Sequence, residues 1–328
     1  MASHSLHRNP PEFQAAPGVV LSVPKVAVLV GPTAVGKTAL ALDLAEALGA
    51  EIVNADSMQV YRELDIGTAK PTMAERARVP HHLVDVADPD EPYDAARYAR
   101  EGREVIAGLH QRGIPPVVAG GTGLYIKALL AGLFPQEDAV RQVRPRLARE
   151  LADQGLAALY GRLESLDPAT ARRLAPGDTY RILRALEVVE ATGQPLSELH
   201  AAHGFQDRPY DTVKIGLTRP REELYRRIEA RVELMVAQGW LEEVRRLLER
   251  YAPEIKPLQA LGYRHLVAVV QGNLTLAEAV ELTKTETRRY AKRQLTWFRA
   301  DPEVRWYGPE QSEEILSVVQ DFFLGEKS

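Results

Sequence analysis

Lys25-Val-Ala-Val-Leu-Val30 runs directly into Gly31-Pro-Thr-Ala-Val-Gly-Lys-Thr38, and that into Ala39-Leu-Ala-Leu-Asp-Leu-Ala-Glu-Ala-Leu48. The first run is short and nearly continuously apolar, which predicts a strand buried on both faces. The middle run is a full match to the phosphate-cradling pattern GxxxxGK[ST]. The third has helix-forming composition and an apolar face, with Gly49 as a fitting stop. In this order, Gly31, Pro32, Thr33, Ala34, Val35 and Gly36 form a loop whose backbone N–H groups converge at a helix start. Lys37 adds a mobile positive charge, and the Thr38 hydroxyl is placed to touch a magnesium ion carried by the phosphates. The expected guest carries two or more linked phosphates. Nucleotides are the commonest such guests, but any diphosphate meets the same electrostatic demand.

Bulk properties bound the remaining choices. The chain of 328 residues is 45% hydrophobic and 26% charged, with a net charge of −4, as in an ordinary globular enzyme. With no cysteine, disulfides, thiolate zinc sites, iron–sulfur clusters and a cysteine nucleophile are excluded. No stretch of eighteen apolar residues suggests a membrane span. The first two dozen residues contain Pro10, Pro11 and Pro17 and read as a loose tail, not a signal peptide. Basic charge is concentrated in two places. Between Arg141 and Arg184 there are nine arginines against five acids, and Lys284, Arg288, Arg289, Lys292, Arg293 and Arg299 face only Glu286, interleaved with Tyr290, Trp297 and Phe298. Such patches suit a phosphate backbone, although solvated helix faces have the same composition.

Further strands are expected at Ala50–Asp56, His82–Val86, Pro115–Ala119 and Val213–Leu217, alternating with helical spacing at Tyr93–Arg112 and Leu124–Leu130. The segment 62–80 reads as mixed and turn-rich. Strand–helix alternation predicts a parallel α/β sheet with helices on both faces, of the phosphate-loop NTPase type. Ligands in such sheets bind beyond the carboxyl ends of the strands, where the loop, Asp56 and Gly120-Gly-Thr122 all fall. After Gly132 the texture turns Arg-, Ala- and Leu-rich with breaks at Gly155, Asp167-Pro168, Pro176-Gly177 and Gly193. The expected organisation is a tail over 1–23, a core built from 24–137 and 206–328 with C-terminal helices, and a helical insertion over 138–205. The tail Val304 to Phe323 is expected to add a short strand and a helix.

Several segments, taken together, resemble one family. They are residues 31–38, Asp-Ser-Met-Gln-Val-Tyr (56–61), Asp-Ile-Gly-Thr-Ala-Lys-Pro (65–71), Pro-His-His-Leu-Val-Asp (80–85), Gly-Gly-Thr-Gly-Leu-Tyr (120–125), Arg-Ala-Leu-Glu-Val (184–188), Leu-Gly-Tyr-Arg (261–264) and Ala-Lys-Arg-Gln-Leu-Thr-Trp (291–297). In this order the chain resembles the tRNA dimethylallyltransferases, in the bacterial form without a zinc finger. The resemblance implies transfer of a dimethylallyl group from dimethylallyl diphosphate to N6 of adenosine 37, beside the anticodon of tRNA. Pyrophosphate leaves and Mg2+ assists. It also implies a monomer in the cytoplasm whose insertion contacts the anticodon stem-loop. A nucleotide or small-molecule kinase is the alternative that the loop alone leaves open.

The resemblance also carries roles over by position. Asp56 matches the proposed general base, with a magnesium ligand or strand-end cap as its alternative. Lys37, Thr33 and Thr122 match diphosphate-contacting positions. Arg221 matches the diphosphate arginine, with Arg219 competing for the assignment. For tRNA the matching positions are Asp56, Ser57, Met58, Gln59, Thr122, Arg144, Tyr180, Arg181, Ile182, Leu183, Arg184, Gln259, Gly262, Tyr263 and Arg264. His81 and His82 are expected to be structural, and Asp85 to be an outer-shell partner of magnesium.

Overall fold

The computed structural model describes residues 23–132, 137–203 and 208–325. In chain order these form β1 (Lys25–Val30), α1 (Lys37–Leu48), β2 (Glu51–Ala55), α2 (Met73–Arg78), β3 (His81–His82), α3 (Ala95–Gln111), β4 (Pro116–Gly120) and α4 (Gly123–Ala131). Then come α5 (Glu137–Leu166), α6 (Pro168–Ala171), α7 (Thr179–Thr192) and α8 (Leu196–His203). The chain returns through β5 (Asp211–Leu217), α9 (Arg221–Ala237), α10 (Trp240–Leu248), α11 (Tyr263–Val270), α12 (Leu276–Arg299), β6 (Val304–Tyr307) and α13 (Ser312–Leu324).

Six strands make one sheet in the order β3-β2-β4-β1-β5-β6, with every pairing parallel. The apolar run that opens the chain's reading is central. Val26, Val28 and Val30 pack into one core and Ala27 and Leu29 into the other, on opposite faces, as the period-2 geometry of a strand requires. Each of the larger side chains so buried stabilises the fold by roughly 1.5–3 kcal/mol.

The structure differs from the sequence reading in two places. The strand expected over 82–86 is only His81–His82, paired with Ile52 and Val53. Leu83 and Asp85 then take left-handed backbone, φ 59° and 58°, which no continuing strand tolerates. The segment 62–80 contains α2, whose start was legible. Thr72 accepts from the N–H of Glu75 while the Glu75 carboxylate accepts from the N–H of Thr72, a reciprocal capping pattern.

Helices α5 to α8 gather a core of their own around Leu147, Leu159, Leu163, Ile182, Ala185 and Leu186. The break read at Gly155 is a kink within α5, where φ is 77°. Residues 1–22 of the tail expected over 1–23, and the junction near residue 205, lie outside the described residues.

Where β2 and β4 end side by side, Gly120 is opposite Ala55. A Cβ at Gly120 would stand 2.1 Å from the Ala55 carbonyl oxygen and 2.4 Å from its carbon, and backbone cannot yield as a side-chain tip can. Gly120→Ala is therefore expected to destabilise by about 1–3 kcal/mol or more, read as a lower urea midpoint. An unchanged midpoint would show that the two strand ends are not this close.

Candidate active site

The loop begins in a tight corner. Gly31 has φ 150°, and a Cβ there would meet the Leu217 carbonyl oxygen of β5 at 2.8 Å. Ala34 and Gly36 also have positive φ, 64° and 117°. The chain thus curls before α1, and no side chain caps that helix. Its first N–H groups are left for a ligand.

A cavity of about 580 Å³ opens over this helix start. Thr33, Ala34, Gly36, Lys37 and Thr38 form one side, Asn54, Asp56, Gly120 and Gly121 the strand ends, and Arg227, Arg231, Tyr290 and Gln294 the wall from α9 and α12. A second chamber of about 270 Å³ adjoins it, lined by Ile228, Val232, Met235, Trp240, Leu261, Met58 and Gly67 among others. Thr33, Ala34, Asp56, Thr68, Arg231 and Tyr290 belong to both. A cationic chamber and a mainly apolar one therefore meet beside the Asp56 carboxylate.

The cations are placed by the loop. Lys37 Nζ donates to the carbonyls of Gly31 (2.9 Å) and Pro32 (2.7 Å). Burial first, and then nearby Arg231, lower its pKa to about 7, while Asp56 opposes the shift. Arg231 lies 3.4 Å from the Thr33 hydroxyl. Burial and Arg227 hold its guanidinium below the ordinary range, again against Asp56. Arg227 Nε donates to the Ala34 carbonyl and Arg219 Nε to that of Val35, both at 2.8 Å. Three arginines thus address three consecutive loop residues. Arg221 does not join them. It is exposed at the first turn of α9, with its guanidinium 5.1 Å from the Tyr225 ring centroid, outside both chambers. Arg227 and Arg231 belong to no motif in the sequence, although their four-residue spacing puts them on one helix face.

The strand ends present the remaining groups. Asp56 follows β2, and its Oδ1 accepts from the N–H of Met58 (2.8 Å) and of Gln59 (3.3 Å). Thr122 precedes α4; its N–H donates to the Ala55 carbonyl at 3.1 Å, and its Oγ1 accepts from the N–H of Ser57 at 3.0 Å. Tyr290 hydrogen-bonds with Thr122 and Gln294, and burial with the nearby Asp56 raises its phenol well above the ordinary range. Gln294 ties the halves together. Its Oε1 accepts from the N–H of Thr33 and its Nε2 donates to the Gly121 carbonyl, both at 2.9 Å. It lay inside the segment 291–297, but sequence gives an amide no charge or spacing by which to single it out.

The other expected residues are divided between the two chambers and places away from them. Met58 and Ser57 line the apolar chamber, and Gln59 Nε2 donates to the carbonyls of Thr68 and Ala69, both at 3.1 Å. Tyr180 is 76% exposed and Arg181 is paired with Asp178 on α7. Arg144 and Arg184 share Glu187. Ile182 is fully buried, and Leu183, half-buried, packs against the same helical core. Gln259 is exposed, with its side-chain N–H on the Pro253 carbonyl. Arg264 pairs with Glu286. Gly262 has φ 84° and lies against Trp240, and Tyr263 is buried with its hydroxyl donating to Glu243 at 2.7 Å. His81 contacts the Val79 carbonyl and His82 the Glu51 carboxylate. Asp85 is held by Lys70 and Arg76, both at 2.6 Å.

Among the described residues no three His, Asp or Glu side chains are gathered to hold an ion. A divalent cation still fits if it arrives with phosphate oxygens, because the Thr38 hydroxyl is in the cavity wall beside Lys37 and oxygen donors suit a hard cation.

The sequence and the fold are similar to those of known proteins. A family model described as isopentenyl transferase matches residues 24–82, and one described as IPP transferase matches residues 59–301. A tRNA dimethylallyltransferase of Desulfosudis oleivorans is 55% identical over 92% of this chain and 96% of its own length. One of Syntrophobacter fumaroxidans is 56% identical over 90% and 86%. Among solved structures, the tRNA isopentenylpyrophosphate transferase of Bacillus halodurans superposes with a TM-score of 0.69 at 38% identity, covering 92% of this chain and 97% of that one. A eukaryotic dimethylallyltransferase acting on tRNA superposes with a TM-score of 0.81 at 29% identity, covering 93% and 80%. With its phosphate loop, its strand-end aspartate and a match that runs through most of its length, the chain belongs to the IPP transferase family.

Proposed function

We propose that this chain is a prenyltransferase that moves a dimethylallyl group from dimethylallyl diphosphate to N6 of adenosine 37 in tRNA, releasing pyrophosphate. The observation that carries the reading is the junction of the two chambers at Asp56. A ligand with an anionic head and a short apolar body matches that change of polarity. A nucleoside triphosphate, whose base and ribose need polar partners, does not.

In this reading the diphosphate lies over the start of α1. The loop N–H groups, Lys37, Arg227 and Arg231 face it, and they stabilise the charge that grows on the departing pyrophosphate more than they stabilise the bound substrate. A magnesium ion at the Thr38 hydroxyl would supply further neutralisation of that charge. The C1 carbon then stands at the junction, shielded from water by the apolar walls. The adenine, turned out of the anticodon loop, brings N6 to the same point. Flipping it costs a few kcal/mol, offset by stacking and pocket contacts. Its lone pair is delocalised into the ring, so a carboxylate that both orients N6 and accepts its proton is needed. Asp56 has that place, with Oδ1 steadied by two backbone N–H groups. Thr122 and Tyr290 complete the polar rim. Arg144, Tyr180, Arg181 and Arg184 on the helical insertion, with exposed Arg289, Lys292 and Arg293 on α12, would hold tRNA phosphates without reading sequence.

Asp56→Asn is expected to cut single-turnover alkylation by roughly 10²–10⁴ while leaving tRNA affinity within a few-fold. Retention of near-normal turnover would remove Asp56 from the reaction. For the anion site, Arg231→Gln is expected to weaken dimethylallyl diphosphate binding by about tenfold or more, measured by calorimetry, whereas Arg221→Ala changes it little. The reverse ranking would restore Arg221 to the diphosphate.

Lys37 makes binding pH-dependent. With a pKa near 7 in the free protein, it is largely neutral at pH 8, and a bound diphosphate raises that pKa by favouring the ammonium form. Binding at pH 8 should therefore take up close to one proton, seen as a dependence of the calorimetric heat on buffer ionisation enthalpy. A Lys37→Met variant should lose that uptake. Equal uptake in both proteins would assign the proton to another group.

A further inference from the structure

Glu243 stands behind the apolar chamber and belongs to no role described so far. It is on α10, 2% exposed, and among the described residues no cation pairs with it. Its charge is met by four donors instead. Oε2 accepts from the N–H of Asp65 (2.9 Å) and of Ile66 (2.7 Å); Oε1 accepts from the N–H of Gly67 (3.3 Å) and from the Tyr263 hydroxyl. Three successive backbone N–H groups converging on one point form an anion nest. Here the anion is the protein's own carboxylate, brought from more than 170 residues away in sequence.

That turn is the chamber wall. Gly67, Thr68, Trp240 and Tyr263 all line the apolar chamber. Gly67 lies so close to Trp240 that an added Cβ would stand 2.0 Å from its Nε1. Gln59 holds the far end of the turn through the Thr68 and Ala69 carbonyls, and Lys70 meets the Asp65 carboxylate at its near end. The carbonyls of Asp65 and Ile66 are met within the turn, by the N–H groups of Lys70 and Ala69, both at 3.0 Å, whereas the N–H groups of 65–67 all point to Glu243, which joins the turn to the helix that carries Trp240.

We infer that Glu243 is a positioning residue whose carboxylate fixes the 65–67 turn as the water-excluding wall of the apolar chamber, and so sets how the five-carbon group partitions between adenosine and water. This rests on the prenyl-transfer reading above. When the wall yields, water reaches C1. The water oxygen bonds to C1, the C1–O bond to pyrophosphate breaks, and one water proton is released, giving dimethylallyl alcohol in place of the alkylated base. Buried charge alone would explain a stability effect; the contact with the chamber wall adds an effect on partition.

The test uses the full chain with dimethylallyl diphosphate and tRNA. In Glu243→Gln the side-chain amide would point donors at backbone donors, and Glu243→Asp shortens the reach. For Gln, the ratio of alcohol to alkylated adenosine is expected to rise about tenfold, with a raised KM for tRNA and a diphosphate Kd within about twofold of wild type. Asp should fall between. An unchanged ratio, or a loss of diphosphate affinity as large as the loss of turnover, would overturn the inference, since either marks a residue that merely supports the fold. Failure of the underlying reading looks different: wild-type protein would then alkylate no adenosine at all.

Discussion

The structure depends on an electrostatic imbalance held in place at one point of the sheet. Lys37, Arg227 and Arg231 crowd around a helix start with Asp56 as the nearby carboxylate. Like charges so placed repel, and the burial of Lys37 and Arg231 withdraws hydration, while Arg227 stays exposed. The lowered pKa of Lys37 expresses that cost. A doubly charged phosphate group relieves it. The rest of the fold can be understood as what keeps the cations from moving apart: a parallel sheet with both faces covered, a loop fastened at residues 33, 34 and 35 by arginines, and Gln294 joining the loop to the neighbouring strand end.

Charge alone would accept any polyphosphate. The adjoining chamber narrows the choice. It is built by α9, α10, α11 and α12 and by the 65–67 turn, elements distant in sequence that share a face only after folding. Its apolar side chains have no use for a ribose, while a short hydrocarbon gains from leaving water there. Asp56 is where the two environments meet.

The helical cluster of α5 to α8 is organised differently. It packs around its own leucines, and its basic residues are partly answered by acids: Arg144 and Arg184 by Glu187, Arg181 by Asp178, Arg162 by Glu150. A count of arginines therefore overstates the positive charge that a polyanion meets. The same holds on α12, where Lys284 and Arg288 are engaged by Glu233, Glu281 and Glu229 while Arg289 and Lys292 remain exposed.

Local features were legible in the sequence for physical reasons. A buried parallel strand must be continuously apolar, a phosphate loop must have small residues where φ is positive, and a helix must stop at a suitable cap. Hence β1, the loop, α1 and the family were readable from residues 25–48 and the later motifs. So was the place of Asp56, because strand ends in such sheets share one edge. What only the tertiary structure decided is which distant side chains meet. Arg221 and Arg231 are the same residue type on one helix, yet a helix's rotation against the sheet puts the first in solvent and the second on the loop. Ile182 and Tyr263 lie in matching segments, yet packing sends them into cores. Glu243 carries no motif; its partners are backbone N–H groups, which every residue but proline possesses, so nothing in the order of amino acids marks them until the turn is folded against it.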